Sequence, residues 1–275
     1  MTDAPDDHGG PLSGAEVEAF RRDGIVVPRH TLPAAQLDSL TAALDRLLAD
    51  NPGVRPEKLV SAHIERSAEG VKGNRVFLEI AHHAAVLDAV EQLIGPDIIL
   101  WGCQVFCKPG GDGMEVPWHQ DGQYWPIRPL ATCTVWIAID ASTTENGCLR
   151  VIPGSHHRHQ LRSHHRSART DVVLDQELDA DAFDVAAARD VELQPGQMSL
   201  HDVYLIHGSH ANSSPRRRAG LALRYMPASS HFDRALLEPG SSTSTYVVDF
   251  SQRPIWLVRG VDRSGRNDFR IGHAS

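Results

Sequence analysis

His119 and Asp121 stand two residues apart in the stretch Trp118-His119-Gln120-Asp121-Gly122. On an extended chain, positions i and i+2 point to the same side, so this imidazole and this carboxylate can grip one ion together. Two histidines and one carboxylate on one face of a metal, with the other positions open, form the donor set of a non-haem Fe(II) site. The second histidine has to come from elsewhere, and His201, His207 and His210 are the candidates. His207 ends the apolar run 203–206 and precedes Gly208, a strand end beside a conformationally permissive residue. Alternation puts His201, Val203, Leu205 and His207 on one strand face, so pattern alone does not separate the first two. His210 lies in a polar turn.

The surroundings suit a small-molecule pocket. Pro117 and Trp118 precede the pair, and Gln123-Tyr124-Trp125-Pro126 follow it, so aromatic walls stand beside converging polar groups. Tyr124, Trp125 and Arg128 are the residues expected to line or approach a substrate. Arg216-Arg217-Arg218 leads into an apolar strand-like run. A guanidinium fork matches a carboxylate in bidentate geometry, so one inward arginine could anchor a dicarboxylate while its two neighbours stay in solvent.

Elements able to hold such a site follow from the pattern. Ser13 and Glu16 make a capping box, starting a helix that runs to about Arg22. Pro33 opens a second helix, with Leu37, Leu40, Leu44 and Leu47 forming one apolar stripe. Residues 84–94 read as a third helix, and 54–82 give no clear pattern. From Ile98 onward the period changes. Strand-like runs cover 98–106, 132–139, 148–152, 198–206 and 219–225, and 254–260 suggests a further strand or a lid. Short strands without regular helices between them argue for an antiparallel sandwich or barrel. Helices first and strands later put α on one side of a β core, and a double-sheet jelly roll fits.

No internal repeat or clean linker divides the chain, so one domain over 1–275 is expected. Within it, 1–12 read as a disordered lead-in, 13–96 as mainly helical support and 97–260 as the jelly-roll core with a long 155–190 insertion. In that insertion the His/Arg-rich tract 156–169 reads as an exposed loop, and the acidic stretch 171–190 as a solvated helix or loop that could pair with it.

Composition excludes several functions. A formal net charge of −8 disfavours binding to nucleic acid, which needs a basic excess. No apolar run approaches the roughly 20 residues that span a bilayer, and the acidic start is no secretory signal. Cys103, Cys107, Cys133 and Cys148 have no metal-finger spacing and read as buried apolar side chains. A cytoplasmic protein with a small-molecule substrate is expected, and its Ala, Arg, Asp and His content suggests a high-GC bacterium and secondary metabolism.

Several motifs together make the chain resemble the phytanoyl-CoA dioxygenase family of Fe(II)/2-oxoglutarate oxygenases, with its ectoine-hydroxylase-like members, over about residues 14–227. They are Trp-His-Gln-Asp-Gly at 118–122, Val-Trp-Ile-Ala-Ile-Asp at 135–140, and Asn-Gly-Cys-Leu at 146–149 leading to Pro-Gly-Ser-His at 153–156. Ile-His-Gly-Ser at 206–209, with Asn212 and the arginines, completes the set. The resemblance implies a mainly β, α+β fold: a double-stranded β-helix core with N-terminal helices packed on one sheet. It selects His207 as the distal histidine, beside His119 and Asp121. It implies Arg218 and Ser209 as holders of the far carboxylate of 2-oxoglutarate, with Gln120 and Trp136 lining that pocket. Fe(II), 2-oxoglutarate and O2 would then serve to hydroxylate an unactivated C–H bond of a small molecule, releasing succinate and CO2. Asp121 stands where halogenating relatives carry a small residue, which favours hydroxylation. The competing readings are a jelly-roll enzyme using another divalent metal without oxidation, and a non-catalytic binding protein.

Overall fold

The computed structural model describes residues 10–179, 181–234 and 250–273, without the side chain of Tyr124. Four α-helices come first: α1 (Gly14–Asp23), α2 (Ala34–Asp50), α3 (Arg75–Ala81) and α4 (Ala84–Ile94). The Ser13–Glu16 capping box starts α1, and Gly24 ends it in the left-handed region at φ 77°. Leu40, Leu44 and Leu47 of the α2 stripe are buried, and truncating one such side chain costs about 2–5 kcal/mol. α3 lies in the stretch that gave no sequence pattern. It is only seven residues long, and Asn74 caps it by accepting from the Val76 N–H. Residues 1–9 of the expected lead-in lie outside the described residues. Leu12 is buried and exchanges backbone hydrogen bonds with the Gln92 side chain on α4.

The strands that build the core are β1 (Ile25–Val26), β2 (Leu59–Val60), β3 (Ile98–Lys108), β4 (Val116–His119), β5 (Ile127–Arg128), β6 (Cys133–Ala138) and β7 (Leu149–Val151). They continue with β8 (His164–Arg166), β9 (Gln176–Leu178), β10 (Arg189–Val191), β11 (Met198–Asp202), β12 (His207–Ser209), β13 (Arg218–Pro227), β14 (His231–Phe232) and β15 (Trp256–Arg259). A seven-stranded antiparallel sheet has the order β1-β11-β6-β13-β3-β15, with β2 also on β3. A four-stranded sheet has the order β10-β7-β12-β4. This is the expected mainly β, jelly-roll core with helices packed on one sheet. The run 254–260 supplies β15 at the edge of the large sheet.

The large sheet is buried on both faces. On β13, Ala219, Leu221, Leu223 and Tyr225 join the cluster formed with the helices, and Tyr225 donates its hydroxyl to Ala81 O. Arg218, Ala222 and Arg224 take the other face and line a cavity closed by the small sheet. All four cysteines are buried and unpaired.

Two local readings change. The run 198–206 is not one strand: β11 stops at Asp202, whose side chain accepts from the Tyr204 N–H at 2.8 Å. This Asx turn breaks the alternation and carries the chain from the large sheet to the small one. His201 and His207 therefore belong to different sheets. The acidic stretch is not simply solvated either. Val172, Val173, Gln176 and Leu178 are buried, and β9 pairs with β8 of the basic tract. His165 of that tract contacts Glu177 and Asp179, so the two segments do pair.

Candidate metal centre and its cavity

β4 and β12 are neighbours, and their register puts His207 directly opposite His119. The two rings lie 4.2 Å apart between centroids. Asp121 opens a short 3-10 turn instead of continuing β4. Gln120 before it is still extended, at φ −117° and ψ 126°, so Asp121 returns to the side His119 faces. Its Oδ1 is 3.5 Å from His119 Nε2 and 3.9 Å from His207 Nε2. Donor atoms of these three buried residues all lie within 4.8 Å of one another.

The imidazoles are oriented for ligation. His119 Nδ1 lies 2.9 Å from Pro117 O, and His207 Nδ1 lies 3.0 Å from Leu205 O. A carbonyl accepts only, so each Nδ1 carries the proton and each Nε2 turns a lone pair toward Asp121. Burial first, then the neighbouring His119, pushes His207 down to about 3, which keeps it neutral as a ligand must be. Burial alone would raise Asp121. Contacts with His119 and His201, then the charges of His207 and Arg224, outweigh it and hold the carboxyl well below its usual range. A carboxylate between two inward Nε2 lone pairs fits a divalent cation.

His201, on β11, is buried with its Nε2 3.7 Å from Asp121 Oδ2. It stands behind the carboxylate and outside the close three-donor group. His210 is excluded: it faces outward and its Nε2 meets Arg150 at 2.7 Å.

All three donors open into one cavity of about 560 Å³, which Trp136, Ser209 and Arg218 also line. Arg218, 4% exposed, donates from Nε and Nη2 to Gly147 O at 3.1 and 2.8 Å, and from Nη2 to Ser209 Oγ at 3.4 Å. Its guanidinium lies over the Trp136 ring at 5.4 Å. Among the described residues it has no carboxylate partner. The other two arginines of the triplet do: Arg216 reaches Glu145, and Arg217 takes Asp140 and Asp45. Trp125 and Arg128 line the cavity; the Tyr124 side chain lies outside the described residues.

Gln120 requires a correction. It does not line the cavity, because an extended residue between two inward ones must point away. Its side chain donates to Gln160 O and Tyr204 O and accepts from the Arg162 N–H at 2.7 Å. It ties the metal loop to the basic tract and to the 202–206 turn.

Lys108 was not singled out from sequence. It is 1% exposed, faces Arg218 across the β3–β13 pair, and donates to Ser209 Oγ at 2.8 Å and to His210 O. Burial, then the Arg218 charge, lowers it to about 6. The available signal was parity: Lys108 shares the inward face of β3 with Gln104 and Phe106.

A sequence profile of the phytanoyl-CoA dioxygenase family matches residues 20–220. An ectoine dioxygenase from Sphingopyxis alaskensis is 27% identical over 243 residues, 82% of this chain and 79% of its own length. An L-proline trans-4-hydroxylase from Streptomyces griseoviridis is 26% identical, covering 78% and 86%. Among solved structures, the apo form of the non-heme monooxygenase ThoJ superposes with a TM-score of 0.67 at 28% identity, covering 91% of this chain and 85% of its own. Fold, donor set and relatives together define a 2-oxoglutarate-dependent dioxygenase with Fe(II) as its metal and O2 as its second co-substrate. The chain belongs to the phytanoyl-CoA dioxygenase family. Among the described residues no helix is long and apolar enough to cross a membrane.

Proposed function

We propose that the protein hydroxylates an unactivated C–H bond of a small molecule in bacterial secondary metabolism, in the cytoplasm. In this reading His119, Asp121 and His207 hold Fe(II), Arg218 and Ser209 hold the far carboxylate of 2-oxoglutarate, and Trp136 forms the floor beneath it. One observation carries the assignment: a buried arginine with no acidic partner among the described residues shares a cavity with three convergent metal donors. An enzyme using another metal without oxidation, or a simple binding protein, leaves that arginine unexplained. The unpaired thiols agree with a reducing compartment.

Bound iron supplies the oxidising power, drawn from O2 and the decarboxylation of 2-oxoglutarate to succinate. The chain does the rest. Pro117 O and Leu205 O fix which imidazole nitrogens face inward. Gly147 O holds one edge of Arg218, and the Nη1 hydrogens make no bond among the described residues. Ser209 Oγ accepts from both Lys108 and Arg218, so its own proton is available to a carboxylate oxygen. The Arg218 guanidinium, the Lys108 amine and one hydroxyl therefore converge where a distal carboxylate would sit, and fixed orientation of the co-substrate precedes chemistry.

The test is succinate formation with Fe(II), ascorbate and 2-oxoglutarate, with and without O2, across a substrate panel. Succinate that requires iron, O2 and one panel member supports the reading. Iron-loaded protein that forms no succinate under any condition refutes it.

A further inference from the structure

We propose that the substrate carries a carboxylate and that Arg224 binds it. This rests on the oxygenase reading of the same cavity and deepens it. Arg224 lies on β13 six residues after Arg218, on the same inward face, so the two are about 20 Å apart along the strand. The rungs of the large sheet put Arg224 opposite Thr134, and Thr134 opposite His201. His201 in turn stands behind Asp121. Arg224 thus lies beyond the metal donors from the 2-oxoglutarate end, where a substrate has to enter.

Its surroundings suit the binding of an anion. The guanidinium is boxed by Trp125, Trp101 and Phe106 at 5.3, 5.8 and 5.9 Å from the ring centres. Its polar contacts among the described residues are two hydrogen bonds from Nη1 and Nη2 to the single oxygen Gln104 Oε1, at 3.3 and 3.2 Å. Nε is buried and has no partner among the described residues. By contrast, Arg253 of the same cavity pairs with Glu69 at 2.6 Å.

Further polar groups of the cavity are left over, among them two donors beside Arg224. Trp101 Nε1 and Thr134 Oγ1 are buried without a partner among the described residues, and both residues line the cavity. Trp101 is there because of a bulge. The β3–β13 register steps from Gly102 to Leu100 between Arg224 and Tyr225, so Trp101 is the extra residue and turns to the Arg224 face. Arg224 is half-buried, but its Nε and the two neighbouring donors are buried and unfilled among the described residues; such groups are costly in a protein interior, and a ligand that fills them recovers that cost on binding. Aromatic rings around the guanidinium favour an edge-on approach, which suits a planar carboxylate. Trp125 and Phe106 around it, with Leu161 lining the same cavity, suit an apolar body.

The experiment compares carboxylic acids with their own primary carboxamides: cyclohexanecarboxylate, 3-phenylpropanoate and octanoate against the three matching amides. Binding is read calorimetrically on the metal-loaded protein saturated with 2-oxoglutarate. Loss of one charge-assisted contact predicts an acid preference of about ten- to a hundredfold. In Arg224→Gln that preference falls to within about twofold, whereas Arg224→Lys, which keeps the charge, retains part of it. Metal content and the 2-oxoglutarate titration are measured beside it. Their failure in the wild type counts against the oxygenase reading, whereas the acid–amide ratio is read by binding and needs no turnover. The proposal is overturned if no acid binds better than its amide, if the preference survives in Arg224→Gln, or if the matching phosphonates bind in preference to the acids.

Discussion

Replacing Arg218 by alanine tests the co-substrate site most directly. The guanidinium is almost fully buried, fixed at one edge by Gly147 O and backed by Trp136. Removing one partner of such a buried charge pair costs about 2–5 kcal/mol in binding. Lys108 remains 2.8 Å from Ser209 Oγ and still offers a donor, so the loss should lie near 3 kcal/mol, roughly a hundredfold in affinity. The assay is anaerobic calorimetric titration of 2-oxoglutarate into Fe(II)-loaded protein, with metal content measured in parallel. A second ligand, 2-oxopentanoate, keeps the keto-acid end and lacks the far carboxylate. Wild type should prefer 2-oxoglutarate strongly; Arg218→Ala should bind the two almost equally and keep its iron. If the variant binds 2-oxoglutarate within threefold of wild type, Arg218 is not the anchor and the electrostatic reasoning fails.

Four other substitutions separate roles in and around the same cavity. His207→Ala should lose most of its bound iron and His201→Ala should keep it, as read by metal analysis after dialysis; equal losses would undo the distinction drawn from Asp121's two oxygens. Lys108, lowered to about 6 by burial and Arg218, is mostly neutral at pH 7.5 in the free protein. A dianion arriving beside Ser209 favours its charged form, so 2-oxoglutarate binding should take up a proton and weaken as pH rises above about 6. Calorimetry in buffers of different ionisation enthalpy should register that proton in wild type and not in Lys108→Met; no uptake in wild type would refute it. Gly220→Ala would set a Cβ 2.0 Å from the Trp136 ring, forcing the indole out from under Arg218. It should cost about 1–3 kcal/mol of stability and weaken 2-oxoglutarate binding, and unchanged melting and titration curves would show the indole free to yield.

Much of this was legible in the chain because it depends on local order. The Ser13–Glu16 box, the leucine stripe of α2 and the strand runs at 98–106, 132–139, 148–152 and 219–225 depend on neighbours a few residues away, and the folded elements match them closely; the run 198–206 does not, because it breaks at Asp202. His119 and Asp121 were legible for the same reason, since one extended residue between them is enough to align them. What could not be read depends on partners far along the chain. Seven-residue α3 is held by packing of Phe77 and Ile80 in the helix-side core, with too few turns to declare a period. His201 and His207 separate only because Asp202 forms a turn whose two ends join different sheets. Gln120 belongs to the motif, yet its partners are at 160, 162 and 204. Lys108 gains meaning only when β3 pairs with β13 and sets it against Arg218, and Trp101 reaches Arg224 only through a bulge in that pairing. Periodicity along the chain determined which side chains share a face; long-range hydrogen-bond register alone decided which faces meet around the metal.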